Sequence, residues 1–298
     1  MKLPARPRRS CLYMPGANAR ALEKAKSLPA DTLILDLEDA VAPEAKNEAR
    51  EQVYAHVTNG GYGPREVVVR INALESGWGD ADVARLATSG ADALLAPKVA
   101  SVRDVERFHA AMAGAGAPES MALWIMIETP HAILNVADIA ALGVDTRLAA
   151  MVMGTNDLAK EMHAQPGMDR LGFLTGLSMT VMAARANGLV AIDGVYNRIG
   201  DIEGLRSECA QGLELGFEGK TAIHPGQIPV CNEVFAPSAQ ELEYAQKVVV
   251  AFETPENQGK GVIKVDGQMT ELLHLEQARR TIAMAALIDK IDQAAWSD

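Results

Sequence analysis

Charged residues recur where short apolar runs end. Asp36-Leu37-Glu38-Asp39 ends the run that starts at Thr32, Glu128-Thr129-Pro130 follows 123–127, and Gly154-Thr155-Asn156-Asp157 follows 148–153. Arg70-Ile71-Asn72 ends the run 66–71, Pro97-Lys98 follows 93–96, and Asp193 and His224-Pro225 close the last two. In an extended chain alternate residues share a face. Ile34, Asp36 and Glu38 therefore lie together, as do Val68, Arg70 and Asn72, and Trp124, Met126 and Glu128. If those faces point inward, several carboxylates crowd one mouth and repel unless a positive charge sits among them. A hard divalent cation held by one or two carboxylates, with waters and substrate oxygens, meets that need, and this is how Mg²⁺ is usually bound. Glu128 and Asp157, at the ends of successive runs, are the best pair of ligands. Arg70 can then grip a substrate carboxylate with both arms of its planar fork.

Structural readings exist for the same residues. Asp39 can cap a helix opening at Pro43, and Asp157 one opening at Leu158. His224, before a proline, reads more readily as a hydrogen-bonded core histidine than as a base. There is no serine elbow, no His-Glu-x-x-His and no Walker loop.

The elements that position these residues are legible from periodicity. Eight apolar runs (12–14, 32–37, 66–71, 93–96, 123–127, 148–153, 189–192 and 220–223) alternate with helical patterns over 17–27, 43–58, 80–89, 102–113, 133–142, 168–187 and 202–215. Ala149-Ala150-Met151-Val152-Met153 lacks polar alternation, as parallel strands buried on both faces do. Gly90 and Gly216 follow helical patterns and precede runs, the expected left-handed caps. The pattern predicts an α/β fold, a TIM (β/α)8 barrel closing near Pro225, with its active site at the C-terminal ends of the strands. The barrel domain is placed at 1–236 and a C-terminal helical extension at 237–298. Within that extension, 238–253 reads as a helix, 254–260 as a polar loop, and 261–265 as a short strand before the Asp266-Gly267 turn. The stretch 271–295 reads as an amphipathic helix whose Leu272, Leu275, Ile282, Ala286 and Ile291 need a surface to cover.

Composition bounds the function. The 298 residues carry 28 Lys and Arg against 39 Asp and Glu, a formal charge of −11, which argues against nucleic acid as the main partner. With 48% hydrophobic residues the chain can build a large core, and disorder is excluded. Three scattered cysteines, Cys11, Cys209 and Cys231, indicate neither a disulfide framework nor a zinc site. No apolar run reaches membrane-spanning length, and the basic start is broken too soon for an export signal. A cytoplasmic protein without membrane association is expected.

Taken in order, several motifs carry a resemblance. Cys11-Leu12-Tyr13-Met14-Pro15-Gly16, Asp36-Leu37-Glu38-Asp39-Ala40-Val41-Ala42-Pro43, Val69-Arg70-Ile71-Asn72 and Pro97-Lys98-Val99 come first. Ile127-Glu128-Thr129-Pro130, Gly154-Thr155-Asn156-Asp157-Leu158 and Gly219-Lys220-Thr221-Ala222-Ile223-His224-Pro225 follow. Together they resemble the citrate lyase β-subunit-like family of the HpcH/HpaI aldolase superfamily, which includes malyl-CoA and citramalyl-CoA lyases and a malyl-CoA thioesterase. The likeness runs from about Arg9 to Ala283. It implies a Mg²⁺-dependent barrel acting on CoA thioesters as a homo-oligomer, a trimer or hexamer. It also implies that Glu128 and Asp157 ligate the metal, that Arg70 binds the acid carboxylate, and that Asp36 and Glu38 orient Arg70 and metal-bound water. Less tightly, it implies that Arg20 and Lys26 lie near the CoA phosphates. In the family an acidic residue from a neighbouring subunit's C-terminal lid, usually Asp, serves as proton shuttle. Glu271 stands at that position here, one methylene longer. The reaction so implied is retro-Claisen-type cleavage of a malyl-CoA-like 3-hydroxyacyl-CoA to a 2-oxoacid such as glyoxylate and an acyl-CoA, with thioester hydrolysis on the same metal site as the alternative.

Overall fold

The computed structural model describes residues 5–165, 167 and 169–295. Its elements run β1 (Ser10–Pro15), α1 (Ala19–Ala25), β2 (Thr32–Asp36), α2 (Lys46–Asn59), β3 (Glu66–Arg70), α3 (Gly79–Leu86), β4 (Ala93–Ala96), α4 (Val102–Gly114) and β5 (Ala122–Ile127). They continue with α5 (Pro130–Leu134), α6 (Val136–Ala141), β6 (Leu148–Met153), α7 (Thr155–Glu161), α8 (Leu174–Ala186), β7 (Val190–Asp193), α9 (Ile202–Leu215), β8 (Gly219–Ala222) and α10 (Ile228–Val234). The eight strands close into one parallel barrel in chain order, with β8 returning to β1 through the pairing Ser10↔Lys220.

Strand alternation splits the apolar residues into two cores. Cys11, Ile34, Val68, Leu95, Trp124, Met126, Val152 and Ile192 fill the barrel interior. Leu35, Val69, Leu94, Ile125, Met151 and Ala191 pack outward with the helices. A period of two continued to the strand ends aims Asp36, Arg70 and Glu128 into the mouth. The opposite end is plugged by ion pairs. Arg8 reaches Glu66 through Nε and Nη2 at 2.6 and 2.8 Å, Arg9 reaches Asp31 with both contacts at 2.8 Å, and the Arg8 guanidinium lies 5.7 Å from the centre of the Trp124 ring. Arg8 and Arg9 thus close the barrel floor.

Several helices differ from the periodicity. The pattern at 43–58 opens with a 3₁₀ turn, Pro43–Ala45, before α2. The pattern at 133–142 is two helices. The first is set by Thr129, whose Oγ1 accepts the Ala132 N–H at 3.0 Å, with Pro130 in its first turn. Asn135 separates them, its backbone no longer helical and its amide donating to the Ala100 carbonyl. The pattern at 168–187 starts at Met168, which lies outside the described residues; a 3₁₀ turn at Leu171–Phe173 leads into α8. The short helix α10 is additional, and α7 opens at Thr155, ahead of Leu158.

A second compact unit comprises residues from Ala236 onward together with Ala5–Pro7. It contains α11 (Ala239–Glu253), β9 (Val262–Val265), β10 (Gln268–Glu271) and α12 (Leu272–Ala295). The hairpin β9–β10 turns at Asp266 (φ 48°) and Gly267 (φ 86°), both left-handed as a two-residue I′ turn requires. Residues 268–271 therefore form a strand, and Glu271 ends it instead of opening the helix. Ala245, Val248, Phe252, Ile263, Val265 and Ala278 make this unit's own small core. Among the described residues no helix is long and apolar enough to cross a membrane.

Candidate active site

The C-terminal mouth of the barrel holds a cavity of about 370 Å³, lined by Tyr13, Asp36, Arg70, Met126, Glu128 and Asp157 among others. At its centre is Arg70, 8% exposed. Nε and Nη2 donate to the two oxygens of Asp36 at 2.7 and 2.6 Å, Nη1 lies 2.9 Å from Glu38 and 3.2 Å from Asp39, and the guanidinium stacks 4.8 Å from the Tyr13 ring centre. Asp36 is itself saturated, since its oxygens also accept the backbone N–H groups of Glu38 and Ala40. It therefore fixes the plane of the fork. A guanidinium has five N–H donors, and most of them are engaged here. A substrate carboxylate gains a two-armed grip only by taking the place of Asp39, whose side chain is 65% exposed. Asp36 and Glu38, the two carboxylates expected to orient Arg70, both contact it. The structure shows it already shared with its orienting carboxylates.

Electrostatics follow from burial. Loss of hydration pushes the Glu38 carboxyl up to about 7 against the pull of Arg70, with Asp39 and Glu128 adding to the rise. Asp39 goes the other way: burial opposes its charge, but hydrogen bonding with Glu38 and the field of Arg70 outweigh it and lower the pKa. Glu128, 1% exposed, is raised by burial despite the Lys98 cation beside it.

Glu128 and Asp157 converge as expected. The Lys98 ammonium lies 2.7 Å from Asp157 and 3.6 Å from Glu128, so one cation touches both carboxylates. The Lys98 backbone N–H also donates to Glu128 Oε1 at 2.6 Å, from a left-handed conformation with φ 55°. Gly154 makes room for Glu128: a Cβ there would stand 2.4 Å from Glu128 Cβ. A position already occupied by one cation between two carboxylates fits a hard divalent ion in its charge and donor chemistry. Among the described residues no three of His, Cys, Asp and Glu cluster to hold a metal, so water or substrate must complete any such shell.

The helix-cap alternatives do not hold. Asp157 sits inside the first turn of α7, which has no side-chain cap, and Asp39 turns to Arg70 instead of the Pro43 turn. Three other strand-end residues are drawn elsewhere. Asn72 donates to Asp82 and to the Leu37 carbonyl. Asp193 is on the outer side of β7, between Arg170 at 2.8 Å and Lys220 at 3.0 Å, and these cations outweigh its burial and lower its pKa. His224 is exposed and its Nδ1 accepts the Gly226 N–H, so it is a turn cap and not a core residue. Arg20 is exposed in the first turn of α1, which begins just beyond the β1 end of the mouth. Lys26 ends that helix, paired with Glu23 at 2.9 Å and 5.7 Å from the ring centre of Tyr62, in the loop that enters β3, so it is not grouped with the mouth residues. Glu271 belongs to the second unit, exposed, its N–H bonded to His274 Nδ1 at 2.9 Å.

Two contributors had drawn no role from the sequence. Tyr13 shares the inward face of β1 with Cys11, a period-two signal that was available. Lys98 is the cation ending β4 beside the acidic ends of β5 and β6, and its meaning needed the register of those strands.

The family model for HpcH/HpaI aldolase/citrate lyase matches residues 9–225. The chain is 48% identical to (3S)-malyl-CoA thioesterase of Cereibacter sphaeroides, over 95% of this chain and 96% of that one. It is 33% identical to the human mitochondrial citramalyl-CoA lyase, over 95% and 86% of the respective chains. The crystal structure of protein CitE from Mycobacterium tuberculosis, in complex with magnesium, acetoacetate and coenzyme A, superposes with a TM-score of 0.73 at 28% identity, covering 95% of this chain and 99% of that one. The chain belongs to the HpcH/HpaI aldolase/citrate lyase family.

Proposed function

We propose that the protein is a Mg²⁺-dependent enzyme that hydrolyses the thioester of a malyl-CoA-type substrate. The observation that carries hydrolysis over carbon–carbon cleavage is the higher identity to the thioesterase, 48% against 33% for the citramalyl-CoA lyase at equal coverage of this chain. The mouth suits the acyl part, because a short dicarboxylic chain presents a free carboxylate and Arg70 is the buried cation built to receive one.

Glu128 and Asp157 are the residues that would hold Mg²⁺. When bound, the ion supplies Lewis-acid polarisation and a template for oxygen ligands. Arg70 binds the substrate carboxylate, and Asp36 keeps the guanidinium in the plane that the carboxylate meets. Glu38, with its pKa near 7, can hold or release a proton at neutral pH, the range in which acid–base groups work best. Met126, Met153 and Ile223 supply the apolar part of the wall, against which the acyl chain can lie. Arg20 is the residue proposed to meet the CoA phosphates. Glu271 is proposed as the proton shuttle, delivered by the C-terminal lid of a neighbouring subunit in a homotrimer or hexamer.

Cleavage to glyoxylate and an acyl-CoA is the second reading, favoured by the family's lyases. Incubation with Mg²⁺ and (3S)-malyl-CoA separates the two. Hydrolysis gives free CoA thiol and malate. Glyoxylate with acetyl-CoA would overturn hydrolysis, and no turnover would overturn both.

A further inference from the structure

Lys98 has no role in the function proposed above, yet three features single it out. Its backbone is left-handed, at φ 55°, in a residue with a side chain, which is uncommon and costs energy unless the surroundings impose it. The imposing contact is its own N–H, held at 2.6 Å by Glu128 Oε1. From that tether the side chain folds back so that Nζ stands 2.7 Å from Asp157 and 3.6 Å from Glu128. The ammonium thus stands where both proposed metal ligands are within reach of one cation. Its side chain is 37% exposed, so it can swing into solvent without breaking a packed core.

We infer that Lys98 is a tethered stand-in cation: it neutralises Glu128 and Asp157 when no metal is present, and the divalent ion must displace it from Asp157 to bind. The inference rests on the proposed metal site and adds a property to it. Lys98 is a positioning residue that sets how tightly the free enzyme takes its metal. The same ammonium keeps two carboxylates from repelling each other, and without it the buried Glu128 would face the Asp157 charge uncompensated.

The test is direct binding of Mg²⁺ by calorimetry, and of Mn²⁺ by electron paramagnetic resonance, to the metal-free full chain, with no substrate present. Lys98→Met keeps the stem and removes the competing charge. It should bind either ion about two- to five-fold more tightly than wild type, the size expected for loss of one partly exposed ion pair. Displacement at contact distance survives salt, whereas a long-range charge effect is screened within a few ångström at about 1 M. The gain should therefore persist at that ionic strength. Lys98→Gln provides the same comparison if the methionine variant folds poorly. Metal-free Lys98→Met should also melt below wild type and recover more of its melting temperature on adding Mg²⁺. Equal or weaker binding by the variants, or a gain that vanishes in high salt, overturns the inference while leaving the metal site standing. If neither wild type nor variant binds either ion, the metal site itself falls with it.

Discussion

Replacing Arg70 with lysine keeps the charge and removes the fork, which isolates what the geometry contributes. In the native mouth Nε and Nη2 meet Asp36 at 2.7 and 2.6 Å while Nη1 faces Glu38 and Asp39. A single ammonium can replace at most one of the two bonds to Asp36. Loss of one charge-assisted bond is worth about 1.5–3 kcal/mol. Asp36 keeps the N–H groups of Glu38 and Ala40, so the fold should lose about 2 kcal/mol, or roughly 3 °C in melting temperature for a chain of this length. Catalysis should lose more. The fork sets both the hydrogen bond to the substrate carboxylate and its angle, and together these are worth about 2–4 kcal/mol, a fall of roughly 30- to 1000-fold in kcat/KM. The assay is initial-rate hydrolysis of (3S)-malyl-CoA, followed by released thiol, beside a thermal melt. If Arg70→Lys melts lower but keeps kcat/KM within about threefold of wild type, Arg70 only braces the mouth and the carboxylate binds elsewhere.

Four further outcomes are expected. Glu128→Gln and Asp157→Asn should each lose turnover with the barrel still folded by circular dichroism; wild-type activity in excess chelator would remove the metal from the account. Gly154→Ala drives a methyl to 2.4 Å from Glu128 Cβ, so it should cost about 1–3 kcal/mol of stability and most of the activity, and a neutral result would show that Glu128 has slack. Glu38 has a folded-state pKa of about 7, raised from 4.5. Its contribution to stability is therefore full below the unfolded value and lost as pH rises through the folded one. The stability of metal-free wild type relative to Glu38→Gln should fall between about pH 5 and 8 by on the order of 1–3 kcal/mol in urea titrations, and a pH-independent difference would contradict the burial argument. Mixed Glu271→Ala and Glu128→Gln subunits should regain activity above either parent if Glu271 is delivered across a subunit interface; no recovery after verified exchange would assign it to its own barrel or to no step.

The strand ends were the legible part. Period-two alternation already grouped Asp36 with Ile34, Arg70 with Val68 and Glu128 with Met126, and the barrel interior contains those apolar partners. What alternation could not supply is the path of a chain after it leaves a strand. Asn72 follows Arg70 by two residues, yet beyond β3 the backbone turns it to Asp82. Asp193 ends β7 on the outer face, because Val190 and Ile192 take the interior. Lys26 and Arg20 share one short helix, but that helix runs away from the mouth, so its two ends meet different surroundings. Register between strands was hidden as well. Pairing of Ala96 with Ile125 and of Ile127 with Met153 is what brings Lys98, Glu128 and Asp157 together. In the second unit the left-handed Asp266-Gly267 turn was readable, but the second hairpin strand was not, since 268–271 carries only one buried residue, Thr270.

The proposed hydrolysis requires this mouth to direct water to a thioester with the metal in place. It is tested most directly by turning over (3S)-malyl-CoA in ¹⁸O-enriched water, once with Mg²⁺ and once with excess chelator, and weighing the products by mass spectrometry. Free CoA and malate carrying one solvent-derived oxygen are expected with Mg²⁺, and intact substrate in the chelated sample. Acetyl-CoA and glyoxylate in place of labelled malate, or equal hydrolysis in chelator, would contradict it.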